Sequence, residues 1–459
     1  MIKINFKVVF CLLCLVTVAV QAQYIPGATD VCKIEQAWVS VGAEPEGPYL
    51  DWRNNGGNYM SPVEDQGSTG LCWAFANSHG LTTRVKIEEG ISFSSDFSED
   101  AIGDCSYPPG PAQGGNFWKA AGYFSALGPV LEGCQPWNPA TTYCSPCPQQ
   151  DYRLRTLRTI GASTAAIKAA LVDGPVMTSM DTTVITGFGS YNGSYVITTG
   201  SSSTTDHQVL IVGYHEGTGD PGYYDGNYWI CKNSWGSSWG DNGYFYIAYG
   251  VANIGNANGQ YWEWEASLES RNAELLYEDE AGASGFYTGM PNTIYACQRF
   301  IPSQDGQITQ VQWANAGNNF SWAVQIFDGM SGDTLTGPLM SQVSGTNEPY
   351  GGIVTLDLPN PVDVTSGNDV YVAVRMNNPS GGVHPCDPVG PPSGTSYGSY
   401  TNISSGYSLL TGSDWAIRAT VEDAAATPTP GVETPATGSV GIGILLLAIG
   451  ILTGIRHRR

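Results

Sequence analysis

Basic residues are scarce in this sequence. Its 19 lysines and arginines stand against 41 aspartates and glutamates, which gives a formal net charge of −22. This balance argues against nucleic acid or an anionic membrane surface as a partner, because both are bound through clustered positive charge. Repeats of a solenoid period are absent as well. What is present is abundant glycine and tyrosine with only 13% charged residues, as is typical of an extracellular protein rich in strands and loops.

The N-terminal end carries one of the apolar runs of the chain. Residues 1–22, MIKINFKVVFCLLCLVTVAVQA, resemble a secretory signal peptide that is cut after Ala22. A membrane-spanning anchor is disfavoured because the run is short. Cleavage would remove Cys11 and Cys14 and leave an odd number of cysteines. In an oxidising compartment at least one thiol therefore stays unpaired, and Cys72 is the candidate.

The C-terminal end predicts attachment to the cell surface. Residues 423–438 form a Pro/Thr-rich linker, and residues 439–459 form a hydrophobic anchor or sorting tail that ends in RHRR. The preceding TPATG resembles a sortase recognition motif with Thr434 in place of leucine, and a retained membrane anchor is the alternative. We therefore expect an exported protein that faces outward from a membrane or cell wall, or that is released.

The interior divides into a short N-terminal segment, residues 23–45, and two domains, residues 46–268 and 271–422. In the first domain, apolar residues at helical spacing follow Leu71, Ser98, Asn116 and Ser163. Strand-like segments such as HQVLIVGYHE and NYWICKNS come afterwards, between Gly/Asp/Asn turns. Helices followed by strands predict an α+β domain of two lobes with a cleft between them.

Cys72 lies at the predicted start of the first helix, where free N–H groups and the helix dipole favour a thiolate. Nucleophilic catalysis also needs a base and a group that orients the base. The strand half offers His207 at the start of one strand and Asn233 at the end of another, followed by Trp235. Each has an ordinary alternative: a buried or disulfide-bonded cysteine, a solvated or core histidine, and a turn at the Asn-Ser pair.

Five segments together resemble the papain family of cysteine peptidases. In chain order they are LDWRNNGGNYMSPVEDQGSTGLCWAFA, FSEDAIGDC, AQGGNFW, DHQVLIVGY and KNSWGSSWGDNGYF. The separation of Cys72 from His207 falls in the range typical of the family, and Asn233 lies slightly beyond it because of a Gly-rich loop. The resemblance covers roughly residues 49–250. It implies a two-lobed papain-like domain with a helical lobe and a β-barrel-like lobe.

The resemblance also implies a role for each matching residue. Cys72 would be the nucleophile, His207 the base, and Asn233 the residue that orients the imidazole under the cover of Trp235. Gln66 would donate its side-chain amide to the oxyanion, together with the N–H of Cys72. The implied substrate-binding residues are Gly114 and Gly115 along the substrate backbone, and Ser179, Asp206 and Gln208 around a pocket that is more polar than usual.

Two features depart from the pattern of the family. Thr69 replaces a cysteine that forms a disulfide in the family, and the partner cysteine is absent too, so no thiol is left unpaired. Leu71 stands beside the oxyanion N–H, and we expect its side chain to point away. Residues 23–48 are too few for the long helical propeptide of the family. We expect this enzyme to fold without one, and the alternative is that this short segment blocks the cleft in place of a propeptide.

The remaining cysteines of the first domain predict disulfides. Four of them, which include a Cys-x-x-Cys, would also suit zinc, but an exported chain favours disulfides. The expected pairs are Cys105–Cys144, which the resemblance implies, and Cys134–Cys147, which remains. Cys32 and Cys231 have no assigned partner. We predict neither a metal nor a cofactor.

The second domain alternates apolar and polar residues between turn residues, which predicts an antiparallel β-sandwich or jelly roll. We expect Cys297 and Cys386 to pair within it. The region is similar to the lectin-like domains that follow papain-type peptidases in some microbial surface proteins. That similarity suggests a carbohydrate or a cell-surface ligand as partner, and the alternative is a spacer.

The leading hypothesis is an exported cysteine endopeptidase that hydrolyses peptide bonds of proteins through a Cys-His-Asn acyl-enzyme mechanism. The alternative is a catalytically inactive adhesion or binding protein that uses its β-sandwich at the cell surface. The presence of Cys72, His207, Asn233 and Gln66 argues against the alternative. A transglutaminase or a cell-wall amidase fits less well, because those families order their motifs differently and use aspartate as the third group.

Overall fold

The computed structural model describes most of both domains. The described residues are 32–33, 47–90, 96–106, 114–140, 143–148, 150, 152–217, 226–257, 259, 261–268, 273–276, 285–287, 291–315, 319–348, 351–379, 384–386, 395–410 and 414–423. The predicted signal peptide and C-terminal tail lie outside this part of the chain, and so does the linker after Asp423. Across the ranges just given, no helix is both long and apolar enough to cross a membrane.

Within the residues described, the first domain has four α-helices, each where the sequence predicts one. They are α1 (Cys72–Glu89), α2 (Glu99–Cys105), α3 (Phe117–Ala126) and α4 (Thr164–Ala170). Local capping explains three of the starts: Ser98, Asn116 and Ser163 each accept a backbone N–H of the first turn through the side chain. The helix α1 ends at Gly90, whose φ of +96° lies in the region that favours glycine.

The strands up to residue 268 belong mainly to the second lobe of the first domain. They are β1 (Cys32–Lys33), β2 (Tyr49–Asp51), β3 (Tyr152–Thr159), β4 (Val176–Met180), β5 (His207–His215), β6 (Tyr228–Lys232), β7 (Tyr244–Ala248) and β8 (Tyr261–Leu268). Short 3₁₀ helices span Thr182–Val184, Phe188–Ser190 and Val251–Asn253. Strands β4, β5, β6 and β7 follow one another in antiparallel pairs, and β2 pairs with β5.

The second domain is built from strands. They are β9 (Glu274–Leu276), β10 (Gly285–Tyr287), β11 (Thr293–Phe300), β12 (Gly306–Asn315), β13 (Phe320–Ser331), β14 (Thr334–Pro338), β15 (Val343–Glu348), β16 (Gly352–Val364), β17 (Val370–Asn377), β18 (His384–Cys386), β19 (Ser396–Ser399), β20 (Ser408–Leu409) and β21 (Ile417–Glu422). One sheet runs β1-β15-β13-β17-β11-β19-β20, and the facing strands run β16-β12-β21-β9. Apolar side chains such as Val311, Trp313, Val324 and Val374 fill the space between them, as the alternating pattern requires. The predicted α+β domain followed by a sandwich is confirmed.

A single sheet passes from the first domain into the second. Strand β3 pairs with β8 on one side and with β16 on the other, through Leu157 opposite Ile353 and Arg158 opposite Gly352. The backbone N–H and the hydroxyl of Thr159 both donate to the carbonyl of Gly351 at 2.9 Å. The sandwich is therefore joined to the peptidase-like domain by main-chain hydrogen bonds, which the sequence alone does not predict.

The cysteines include one pair that we predicted wrongly. The structure contains the Cys105–Cys144 and Cys134–Cys147 disulfides, but Cys297 is a free, buried thiol and is not bonded to Cys386. The strand register explains the error. Cys297 lies in β11 opposite Ala373 of β17 and Tyr397 of β19, whereas Cys386 lies in β18, which pairs with β10 in a separate small sheet. Cys231 is a free, buried thiol as well.

Candidate active site

Cys72 is the first residue of α1 and is only partly buried. The nearby backbone N–H groups of Gln208, Trp73 and Cys72 itself favour the thiolate and act to lower the pKa of the thiol. Burial has the larger effect and raises the pKa of the thiol above its ordinary value, and the negative charge of Asp206 acts in the same direction. The helix N-terminus alone therefore does not lower the pKa of this thiol, contrary to the expectation from the sequence.

His207 begins β5, directly before the residue whose N–H contacts the sulfur, so the fold brings the starts of α1 and β5 together. The imidazole is buried, and its Nε2 lies 2.8 Å from Oδ1 of Asn233. Because an amide oxygen can only accept, Nε2 carries the hydrogen and Nδ1 of the neutral ring is left without one. Burial lowers the pKa of His207, and the bond to Asn233 partly opposes this effect.

Asn233 follows β6 and is held in one orientation. Its Oδ1 accepts the backbone N–H of Ser234 at 2.9 Å in addition to the imidazole N–H, which fixes the oxygen toward both donors. The ring of Trp235 lies 5.1 Å from the His207 ring and packs against Phe188 in turn. The bond between His207 and Asn233 is thus covered by aromatic groups.

Gln66 lies directly against the segment that carries Asn233. Its backbone N–H donates to the carbonyl of Ser234 at 2.8 Å, and the hydroxyl of Ser234 donates to its Oε1 at 2.5 Å. Its Nε2 donates one hydrogen to the carbonyl of Thr69 at 2.8 Å. The amide has a second hydrogen, which this arrangement leaves available to a substrate oxygen. The sequence reasoning missed Ser234, although it stands next to Asn233 in the motif.

The two cleft glycines differ in their surroundings. Gly114 is exposed, and a Cβ added to it would meet no atom within 4 Å. A Cβ on Gly115 would overlap the indole of Trp73, which is buried behind it. Gly114 therefore has open space beside its backbone, and Gly115 permits the backbone to lie close against Trp73.

The three predicted pocket residues lie at the same ends of β4 and β5. Ser179 is buried and stands opposite Gln208 in the pairing of these strands. Asp206 is exposed, and its carboxylate accepts the N–H and the hydroxyl of Thr182, each at 2.7 Å. The structure brings Asp206 and Gln208 to either side of His207, whereas Ser179 has little exposed surface to offer a substrate.

One cluster outside these residues could hold a metal ion. The ligand atoms of Glu64, His79 and Glu99 converge, and sequence reasoning did not select these residues. Among the three, only Glu99 has a local sequence signal, because it follows the N-cap residue Ser98. That signal predicts the start of a helix and not a metal ligand.

Comparison with known proteins gives matches for both domains. A family model described as papain family cysteine protease matches residues 47–262, and one described as a lectin-like domain matches residues 275–426. Digestive cysteine proteinase 1 of Homarus americanus is 33% identical over 226 residues, which cover 46% of this chain and 65% of that protein. Cathepsin B-like CP1 of Giardia intestinalis is 33% identical over 221 residues, 45% of this chain and 70% of that protein. Pro-cathepsin H of Bos taurus is 30% identical over 238 residues, 50% of this chain and 68% of that protein. The chain spans about two thirds of the length of these curated relatives.

Solved structures resemble the two domains together. The structure of the cysteine protease and lectin-like domains of Cwp84, a surface layer associated protein of Clostridium difficile, has a TM-score of 0.66 and 18% identity. That alignment covers 83% of this chain and 89% of the other. A structure of the same clostridial protease after propeptide cleavage has a TM-score of 0.68, also at 18% identity, over 82% and 99%. At this identity the likeness concerns the fold.

Proposed function

Because this chain belongs to the papain family of cysteine proteases, we propose that it hydrolyses peptide bonds of proteins through an acyl-enzyme formed on Cys72. The observation that carries the proposal is the chain of contacts across the cleft. The backbone N–H of Gln208 favours the thiolate of Cys72, and the adjoining His207 is held by Asn233 at 2.8 Å. With Nε2 bonded to Asn233, Nδ1 of His207 is the atom that we assign as the base.

The proposed reaction proceeds in two halves. Nδ1 of His207 takes the thiol proton, and the sulfur of Cys72 attacks the scissile carbonyl carbon. The carbonyl oxygen, now negative, receives hydrogen bonds from Nε2 of Gln66 and the backbone N–H of Cys72. The imidazolium then gives its proton to the leaving amine, which releases the first product and leaves the acyl group on sulfur. A water molecule, deprotonated by His207, cleaves the thioester and restores the thiol.

Asn233 acts through the imidazole in this proposal. Its bond to Nε2 keeps the ring turned toward Cys72 in both halves of the reaction and stabilises the imidazolium that forms between them. Its other partner, the N–H of Ser234, keeps the amide from rotating. Trp235 covers the bond and keeps water from competing for it.

The test is covalent labelling with an epoxide directed at cysteine peptidases. We expect the folded full chain to take up one epoxide on Cys72, and the Cys72→Ala variant to take up none. Cys297→Ala is the matched control: it removes another free thiol, which is buried, and should leave labelling unchanged. Folded protein that is not labelled at Cys72 would sink the proposal and favour a binding protein without activity.

Export and attachment to the cell surface form a second part of the proposal. The expectation rests on the sequences of residues 1–22 and 439–459, and the surface layer association of Cwp84 supports it by analogy. Deletion of residues 439–459 should release the protein into the medium. Unchanged retention at the surface would instead assign the attachment to the β-sandwich, with a carbohydrate or another cell-surface ligand as its partner.

A further inference from the structure

The imidazole of His79 and the carboxylates of Glu64 and Glu99 converge on a common centre. The ligand atoms of Glu64, His79 and Glu99 all lie within 4.8 Å of one another. His79 Nε2 is 3.1 Å from Oε1 of Glu99 and 3.6 Å from Oε2 of Glu64. Among the residues that the structure describes, this is the one group of three or more histidine, cysteine or acidic side chains with such convergence.

These atoms have no hydrogen-bond partners. His79 Nε2, Glu64 Oε2 and both carboxylate oxygens of Glu99 are buried and unsatisfied, since the approach of His79 to Glu99 lacks the alignment of a hydrogen bond. The side chains of His79 and Glu99 are 2% and 0% exposed. Buried polar groups in folded proteins nearly always have partners. Four orphaned atoms that face one another therefore indicate a shared ligand.

A buried lysine near this cluster does not provide that ligand. Nζ of Lys232 donates to the carbonyl of Ser61 at 3.1 Å, to the hydroxyl of Ser61 at 2.7 Å and to the carbonyl of Pro62 at 2.6 Å. An ammonium group has three hydrogens, and these three bonds use all of them. The carboxylates of Glu64 and Glu99 consequently receive no hydrogen bond from Lys232.

We propose that Glu64, His79 and Glu99 bind one divalent transition-metal ion, for which Zn²⁺ is the best match. Imidazole nitrogen with two carboxylate oxygens suits Zn²⁺ and its neighbours, whereas Ca²⁺ and Mg²⁺ prefer oxygen ligands throughout. Three protein ligands leave a fourth position of the tetrahedron for water. The side chain of Glu64 is 20% exposed and marks the side from which an ion enters.

The ion would join α2 to the two segments that carry Cys72 and Gln66. His79 lies on α1, two turns after Cys72, and Glu99 is the first residue of α2. Glu64 is two residues from Gln66, and its carbonyl accepts the N–H of Gly236 at 3.0 Å, just past Trp235. The role of the ion is structural, because a metal that binds the folded state stabilises that state by mass action.

The test uses the full chain with Cys72→Ala, which removes the catalytic thiol as a competing ligand. After chelator treatment, Co²⁺ alone is titrated and its visible absorption recorded, and Zn²⁺ is titrated against the midpoint of thermal unfolding, Tm. We expect one equivalent of Co²⁺ with the intense bands of a tetrahedral site, and a rise in Tm with Zn²⁺. Glu64→Gln should weaken binding by roughly tenfold or more, and His79→Gln should abolish the Co²⁺ bands. Glu132→Gln changes a nearby, partly buried acid outside the triad; it is the matched control and should bind as the parent does.

Two outcomes would overturn the proposal. One is a folded chain that takes up no Co²⁺ and gains no stability with Zn²⁺, which would mean that the three groups share protons instead. The other is equal binding by the parent and by Glu64→Gln, which would place the metal elsewhere. Thermal unfolding without metal establishes that each variant is folded, and Glu64→Gln decides the matter if His79→Gln does not fold, because Glu64 lies at the edge of the cluster.

Discussion

The hydroxyl of Ser234 lies 2.5 Å from Oε1 of Gln66 and holds that side chain in the cleft. The residue after Asn233 thereby positions the amide that we assign to the oxyanion, so the two halves of the site are connected by a direct bond. One consequence is that the loop before α1 and the segment after β6 cannot shift independently.

This connection predicts a graded pair of mutants. Gln66→Ala should lower kcat by about 10²–10³, the usual effect of removing an oxyanion donor. Ser234→Ala should cost about tenfold, because the amide keeps its bond to the carbonyl of Thr69. The measurement is kcat at saturating peptide. A Gln66→Ala enzyme with the kcat of the wild type would refute the oxyanion assignment.

The burial of His207 predicts a pKa below its ordinary value of 6.5. NMR titration of the imidazole in the Cys72→Ala background measures it without the thiol. Trp235→Ala admits water to the ring, favours the charged imidazolium and should therefore raise the pKa toward the ordinary value. Trp235→Phe keeps an aromatic cover and should change it less. An identical titration in all three proteins would remove Trp235 from its covering role.

Gly114 and Gly115 form a matched pair for testing the substrate cleft. Gly115→Ala must displace the buried Trp73 ring, so it should lower the free energy of unfolding by about 1–3 kcal/mol. Gly114→Ala meets no protein atom and should fold with an unchanged Tm. If substrate backbone lies along Gly114, this variant loses kcat/KM for long peptides more than for short ones. Equal kcat/KM values for Gly114→Ala and wild type would move the substrate elsewhere.

The thiol assignment can be checked by mapping under denaturing, non-reducing conditions. We expect alkylation of Cys72, Cys231 and Cys297, while Cys105, Cys144, Cys134 and Cys147 are recovered as disulfide-linked peptides. Reduction before alkylation is the control and should make the four paired cysteines reactive. Recovery of a peptide that links Cys297 to Cys386 would contradict the structure.

The joint between the domains predicts the effect of Gly352→Ala. Gly352 has a φ of +149°, and a Cβ there would overlap the carbonyl oxygen of Leu157 in β3. The substitution should loosen the pairing of β3 with β16, and we expect faster limited proteolysis between the two domains. Gly47→Ala is the control, since Gly47 has a similar φ of +130° but open space around it. Equal cleavage rates in both variants would mean that the strand pairing does not hold the domains together.

The sequence predicts those features that depend on local patterns or on a known order of motifs. Ser98, Asn116 and Ser163 predicted helix starts because a cap depends on residues within one turn. The meeting of Cys72 with the start of β5 came from resemblance, since no local rule brings residues so far apart together. These two kinds of signal account for the helices and the strands, and the roles of Cys72, His207, Asn233 and Gln66 stay a prediction.

The sequence does not predict contacts between segments that are distant in the chain. Leu157 and Ile353 are both ordinary strand residues, and nothing near either one indicates that they pair. The pairing of Cys297 with Cys386 was predicted from the number of cysteines. The strand register, however, decides which side chains can meet. The convergence of Glu64, His79 and Glu99 depends on the packing of three separate segments, which the sequence around each does not reveal.

The sheet that runs from β7 to β9 fixes the direction in which the cleft faces relative to the sandwich. If the sandwich is bound to a surface, the orientation of the cleft relative to that surface is therefore fixed as well. Substrates would be selected first by where their cleavable segments stand above that surface, and only then by the side chains that enter the pocket. A peptidase attached in this way would cleave neighbouring proteins at one distance from the surface. It would not cleave similar sequences that lie at other distances.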